Sequence, residues 1–196
     1  MPDQILLTHC SPTLAGIKTG NIFTCTYRTR SEVKADIRRW NRLLSGKGLR
    51  VIPLKYMKER VLLYVYRPSV LRKDLADPER SRILRECGYE KCGESECICT
   101  LIRHLRENSS FPHEIGLFIG YPAEDVSGFI RNQGSDYKFS GMWKVYGDVE
   151  KTRRLFRKYR HCTDVYCRLG RKGRSLADLA VRVPADAVNI KQQQKG

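Results

Sequence analysis

Two apolar runs, residues 49–56 and 60–66, stand only three polar residues apart, at Met57-Lys58-Glu59. Both are rich in valine, leucine, isoleucine and tyrosine, and so short a polar break between strand-like runs reads as a β-hairpin. The hairpin commits the chain to a sheet, and the flanking segments supply helices to cover it. Residues 21–27 (NIFTCTY) read as a further strand. From Ser31, taken as an N-cap, Val33, Ile37, Trp40 and Leu44 recur at helical spacing, and Gly46 and Gly48 stop that helix. Asp77-Pro78-Glu79 starts another helix, ending near Cys87-Gly88, and Ile98, Leu101, Ile102 and Leu105 mark the buried face of the next. Residues 122–131 and 149–159 complete the helical set, with a short piece at 175–181. Residues 5–8, 115–119 and 137–146 read as strands. One hairpin and a helix-only middle break the strand–helix alternation. The expectation is a single α/β or α+β domain over residues 1–188, a mixed sheet flanked by helices, with a disordered polar tail at 189–196.

Charge is the strongest compositional signal: 37 lysines and arginines against 21 acids give a formal net charge of +16. A polyanion is a legitimate partner for such a chain. Two stretches carry much of the excess. Residues 151–174 hold ten lysines and arginines, among them Arg153, Arg154, Arg157 and Lys158, against one acid, Asp164. The Ser31 helix and its flanks add Arg38, Arg39 and Arg42. If the two sets adjoin, they suit a phosphate backbone. No sequence signature of an RNA-recognition, KH or zinc-finger fold accompanies them.

Two strand-to-helix junctions stand out as ligand sites, because helix N-termini present free N–H groups. At 120–125 the first helical turn carries Glu124 and Asp125, which complement the helix dipole and repel an anion. "FPHEIGLFIGYP" therefore reads as scaffold. At 10–13 the expected helix runs from Ser11, as cap, and Pro12 to Lys18, with no acid in its first turn. Ser11, Thr13 and Lys18 are the candidate anion-binding residues. A cysteine at such a terminus favours thiolate, which makes Cys10 the candidate nucleophile with His9 as base or ligand; a buried, inert cysteine is the commoner alternative. No Ser-His-Asp motif, P-loop or GxGxxG occurs.

The eight cysteines read as thiols of a reducing compartment. Cys87, Cys92, Cys97 and Cys99 have the number but not the spacing of a metal site, and a helix through 98–105 points residues 97 and 99 about 200° apart. In the expected strand 139–146, Phe139, Gly141, Trp143 and Val145 share a face. A pocket, if present, lies between Cys10, Tyr121 and Trp143.

The blocks HCSPTLAGIKTGNIF, FPHEIGLFIGYPAEDVSGFI and GMWKVYGD, the last followed by LFRKYRHCTDVY, resemble a family catalogued only as a domain of unknown function, common in Clostridia and related anaerobic Firmicutes. The likeness spans residues 9–179. It implies a bacterial cytoplasmic protein near flavodoxin and iron-uptake genes. Cytoplasmic placement agrees with the lack of a signal-peptide start and of any apolar run near the roughly 18 residues that span a bilayer.

Three functions stay open on these grounds. The first is an accessory protein binding a small anionic ligand, with Ser11, Thr13, Lys18, Tyr121 and Trp143 as contacts, or an acidic redox partner such as flavodoxin, drawn by charge. The second is a nucleic-acid-binding protein using the two basic sets. The third is a thiol enzyme centred on Cys10. No residue pattern names a cofactor.

Overall fold

The computed structural model describes residues 1–90, 93–107 and 110–183. The architecture is α+β. Its centre is a three-stranded antiparallel sheet in the order β1-β3-β2, built from β1 (Gly20–Thr26), β2 (Arg50–Tyr56) and β3 (Arg60–Tyr66). The hairpin is β2–β3, closed by Met57 N–H donating to the Arg60 carbonyl at 2.7 Å. The register shifts between Pro53 and Lys55. Proline sits there because β2 is an edge strand, where a missing N–H breaks no inner ladder.

β3 has a partner on each side and is apolar at six successive positions. Period two sends Val61, Leu63 and Val65 to one face of the sheet, Leu62, Tyr64 and Tyr66 to the other. On the first face lie α1 (Gln4–Leu14), α2 (Arg30–Leu44) and the short α9 (Leu176–Leu179), with Leu6, Cys10, Leu14, Trp40 and Leu44 fully buried. On the second lie α3 (Pro68–Ala76), α4 (Pro78–Glu86), α5 (Glu94–Glu107), α6 (Ile115–Phe118) and α7 (Ala123–Arg131). A two-stranded hairpin, β4 (Phe139–Ser140) with β5 (Lys144–Val145), leads into α8 (Val149–Arg171), which packs along α1.

Several sequence expectations are corrected. Residues 5–8 form no strand; they open α1, and Ser11 and Pro12 lie in its last turns instead of starting a helix. Leu6, Leu7, Cys10 and Leu14 fall at helical spacing and bury together, which outweighs the helix-breaking proline. Pro12, third from the end of the helix, removes one N–H donor from the helical ladder. Residues 115–118 are a helical turn, not a strand. The run 137–146 is no continuous strand but the β4–β5 hairpin, so Phe139, Gly141, Trp143 and Val145 do not share one strand face. The last long helix runs to Arg171, twelve residues past the expected end at 159. Helix α3 has no counterpart among the expected elements. The cap of α2 is Thr29, whose hydroxyl accepts from Glu32 N–H at 3.2 Å, two residues before Ser31. The tail at 189–196 lies outside the described residues.

Arg67 ties three parts of the chain together. It is 1% exposed, and its guanidinium donates to the carbonyls of Thr13, Leu14, Lys47 and Val181 at 2.7–3.0 Å. The end of α1, the turn after α2 and the chain beyond α9 are thereby held to the end of β3.

Candidate functional site

After α1 the chain reverses through Gly16, whose φ of +74° favours glycine, and Ile17 N–H bonds back to the Pro12 carbonyl at 3.0 Å. The turn delivers Lys18 beneath α8 and the loop after α6. The residue is only 7% exposed. Its ammonium lies 5.3 Å from the Tyr121 ring centroid and 5.8 Å from that of Tyr159. Among the described residues it has no ion-pair or hydrogen-bond partner. Burial lowers its pKa to about 8, opposed by the neighbouring Cys10. At neutral pH it still carries its charge.

Lys18 lines a cleft of about 220 Å³ together with Thr19, Asp74, Arg80, Gly120 and Tyr159. Arg80 donates to the carbonyls of Leu117 (3.1 Å) and Tyr121 (2.9 Å) and stands 3.9 Å from Asp74. Asp74 accepts from the Thr19 hydroxyl; burial raises its pKa, against the pull of Arg80 and of that hydrogen bond. Gly120 is needed where it stands. Its φ is +80°, and a Cβ there would come within 2.6 Å of Thr19 Oγ1.

Tyr121, whose ring Lys18 faces, lines a second, more apolar cleft of about 340 Å³ with Phe111, His113, Phe129, Met142, Trp143 and Lys144 among others. Tyr121 stacks on Trp143 with ring centroids 4.1 Å apart, and Trp143 meets Phe156 edge-on at 4.4 Å. Asp125, 2% exposed, anchors the Trp143 hairpin: it accepts from the indole N–H at 2.8 Å and from the Tyr146 and Gly147 N–H groups at 2.8 and 2.9 Å. The carboxylate expected to serve as a dipole partner in the first turn of α7 is thus also the bond between α7 and the hairpin.

Of the residues singled out as ligand contacts, Lys18, Tyr121 and Trp143 come together. Ser11 and Thr13 do not join them: both are fully buried, the Ser11 hydroxyl donates to the Leu7 carbonyl, and Thr13 Oγ1 bonds Asn21 Oδ1 at 2.6 Å. The helix N-terminus that was to lower the Cys10 pKa is not there. Cys10 sits inside α1 with no exposed surface, and burial pushes its thiol far up despite the nearby Lys18 charge. His9, on the exposed side of α1, stacks on Phe23 at 5.1 Å.

Arg80, Asp74, Thr19 and Tyr159 are not identifiable as site residues from sequence. Periodicity marks Tyr159 only as an inward residue of its helix; Asp74 and Arg80 come from two successive helices joined at Asp77, and no local pattern connects them to Thr19.

The cysteines remain apart in character: Cys87 is half-buried, Cys97 buried and Cys99 exposed, while Cys92 lies outside the described residues. Among the described residues no three histidine, cysteine or carboxylate groups are placed to hold a metal ion. A separate buried polar cluster joins Glu114 Oε1 to Tyr89 Oη (3.1 Å) and His104 Nδ1 (2.9 Å). Of the basic set, Arg38, Arg42, Arg154, Arg157 and Lys158 are exposed. Arg39 is engaged with Asp3 at 2.5 Å, and Arg153 lies over the Phe139 ring and 3.8 Å from Glu150. Among the described residues no helix is long and apolar enough to cross a membrane.

A family model described as "Protein of unknown function (DUF3793)" matches residues 6–180. The chain belongs to this family. Of the described residues that line the Lys18 cleft, only Val183 falls outside the matched span. No curated protein and no solved structure matches the chain.

Proposed function

We propose that the protein binds a small anionic ligand in the cleft between Lys18 and Arg80. The observation that carries this reading is Lys18 itself. An ammonium more than nine-tenths removed from water, with two aromatic faces and no ion-pair partner among the described residues, is costly for the fold to keep. Such costs are met at sites that use the charge. Arg80 adds a second positive group, and its guanidinium is held in place by two carbonyls. Asp74 adds an acceptor in the same cleft. The set favours a ligand with both a negative oxygen and a hydroxyl or N–H to donate, such as hydrogen phosphate or a small hydroxy or amino acid. The volume of about 220 Å³ limits it to that size class.

The test is titration of inorganic phosphate, sulfate and small hydroxycarboxylates into the protein and into Lys18→Met, followed by calorimetry and by thermal melting. At a ligand concentration a hundred times Kd, binding stabilises the fold by about 2.7 kcal/mol. The expected result is a rise in Tm for at least one anion that Lys18→Met abolishes while remaining folded. Equal shifts in both proteins, or none with any of the anions, refute the proposal.

A further inference from the structure

Helix α8 carries a charge pattern independent of the Lys18 cleft. Its 23 residues make a rod about 34 Å long at 1.5 Å per residue. Thr152, Phe156 and Tyr159 are its buried residues, and part of its length packs along the shorter α1. Arg154, Arg157, Lys158, Arg160, Arg168 and Arg171 are all exposed. None of the six has an ion-pair or side-chain hydrogen-bond partner among the described residues. Their spacing of three and four residues within each half of the helix places them on its outer side.

The positive surface does not end with the helix. Lys172 and Arg174 follow, both exposed. At this end Gly170 packs so closely on α1 that a Cβ would lie 2.4 Å from Leu7 and 3.1 Å from Gln4. On its other flank the same first turn of α1 holds Arg39 of α2 through Asp3. The two basic segments thus flank one helix terminus, and Arg38 and Arg42 of α2 extend the surface.

We propose that this face binds the phosphate backbone of double-stranded nucleic acid without reading its sequence. Six of the eight lysines and arginines within α8 are arginines, whose forked guanidinium suits phosphate oxygens. A single strand is the poorer fit, because strand-binding grooves stack bases on aromatic rings. The phenylalanine and tyrosine rings of α8 do not serve: Phe156 and Tyr159 are buried and Tyr166 is half-buried, which leaves the small imidazole of His161 as the only exposed ring on the helix. Membrane insertion is disfavoured as well, since the apolar side of the helix is already occupied by the protein. Recognition through phosphates alone predicts affinity that falls steeply with salt and is indifferent to base sequence.

The experiment uses the full chain and fluorescently labelled 30-base-pair duplexes of two unrelated sequences, with fluorescence anisotropy read from 50 to 300 mM salt. A single strand, anionic lipid vesicles and polyglutamate serve as competitors. The variant is Arg154→Ala/Arg157→Ala/Lys158→Ala, three exposed positions with no ion-pair or side-chain hydrogen-bond partner among the described residues, with a melting curve to verify folding. We expect both duplexes to bind equally. The variant should weaken both alike and lower the salt slope by about one for each phosphate it no longer neutralises. No duplex binding at 50 mM salt, unchanged binding by the folded variant, preference for one sequence, or displacement by vesicles, polyglutamate or a single strand as effective as by duplex would each overturn the proposal.

Discussion

Lys18 and Arg67 are both buried cations, and they differ in what surrounds them. Arg67 has four carbonyl acceptors; Lys18 has two aromatic rings and a cleft. For Arg67, burial pulls the pKa down to about 10, which still leaves it charged at neutral pH. Replacing it by methionine takes the buried side-chain donor away from four carbonyls where three segments meet, of which Thr13 and Leu14 keep a backbone N–H partner. A loss of at least about 3 kcal/mol is expected, read as a fall in the urea midpoint. Lys18→Met should act in the opposite sense on the unliganded protein, since it removes a charge whose burial the fold opposes. The pH dependence follows from the same burial. The folded pKa of about 8 lies below the ordinary 10.5, so the unfolded chain binds the proton more tightly. The penalty is present in full below about pH 8 and is relieved as pH rises to 10.5, by roughly 3 kcal/mol in all. The stability difference between Lys18→Met and the parent should therefore shrink across that window in urea titrations at pH 7, 9 and 10. A constant difference contradicts the assignment. Anion binding at Lys18 should weaken over the same range as its proton is lost.

At the scale of elements, the sequence was legible wherever a pattern was local. The hairpin 50–66, the helices at 30–44, 78–86, 94–107 and 123–131, and the glycine stop after α2 follow from periodicity, caps and turn residues. The errors share a cause. Ser11-Pro12 has the composition of a helix start, and only the burial of Leu6, Leu7 and Cys10 shows that the helix was already running. Residues 115–119 are five apolar positions, too few for period two and period 3.6 to be told apart. Their helical turn is set by burial in the second core, with Glu114 just before it bonded to Tyr89 and His104. The run 137–146 folds back on itself because Asp125 of α7 captures Trp143, Tyr146 and Gly147, an interaction 18 to 22 residues away. The start of α8 is locally coded: Asp148 accepts from Lys151 N–H at 3.0 Å. Asp148→Ala should cost about 1 kcal/mol, seen as a lower Tm with unchanged helical circular dichroism at 20 °C.

For the whole molecule, the net charge of +16 predicts self-repulsion that salt relieves. Raising sodium chloride from 50 to 300 mM should raise Tm, because the Debye length shortens below the spacing of exposed charges on α8. A variant with the α8 arginines neutralised should show a smaller rise. A parent Tm indifferent to salt would show that the charges are already spread too widely to interact. The basic excess, the hairpin and the amphipathic helices were determined by the sequence alone, because each depends on residues close together in the chain. Which cations stay free was decided only by the tertiary structure. It withdrew Ser11, Thr13 and Cys10 into the core, paired Arg39 with Asp3, and left Lys18 without an ion-pair partner among the described residues, in the cleft that Arg80 also lines. A site assembled from residues 18, 74, 80, 120 and 159 depends on distances that no local pattern encodes. Packing both faces of one small sheet brings those residues within reach of each other.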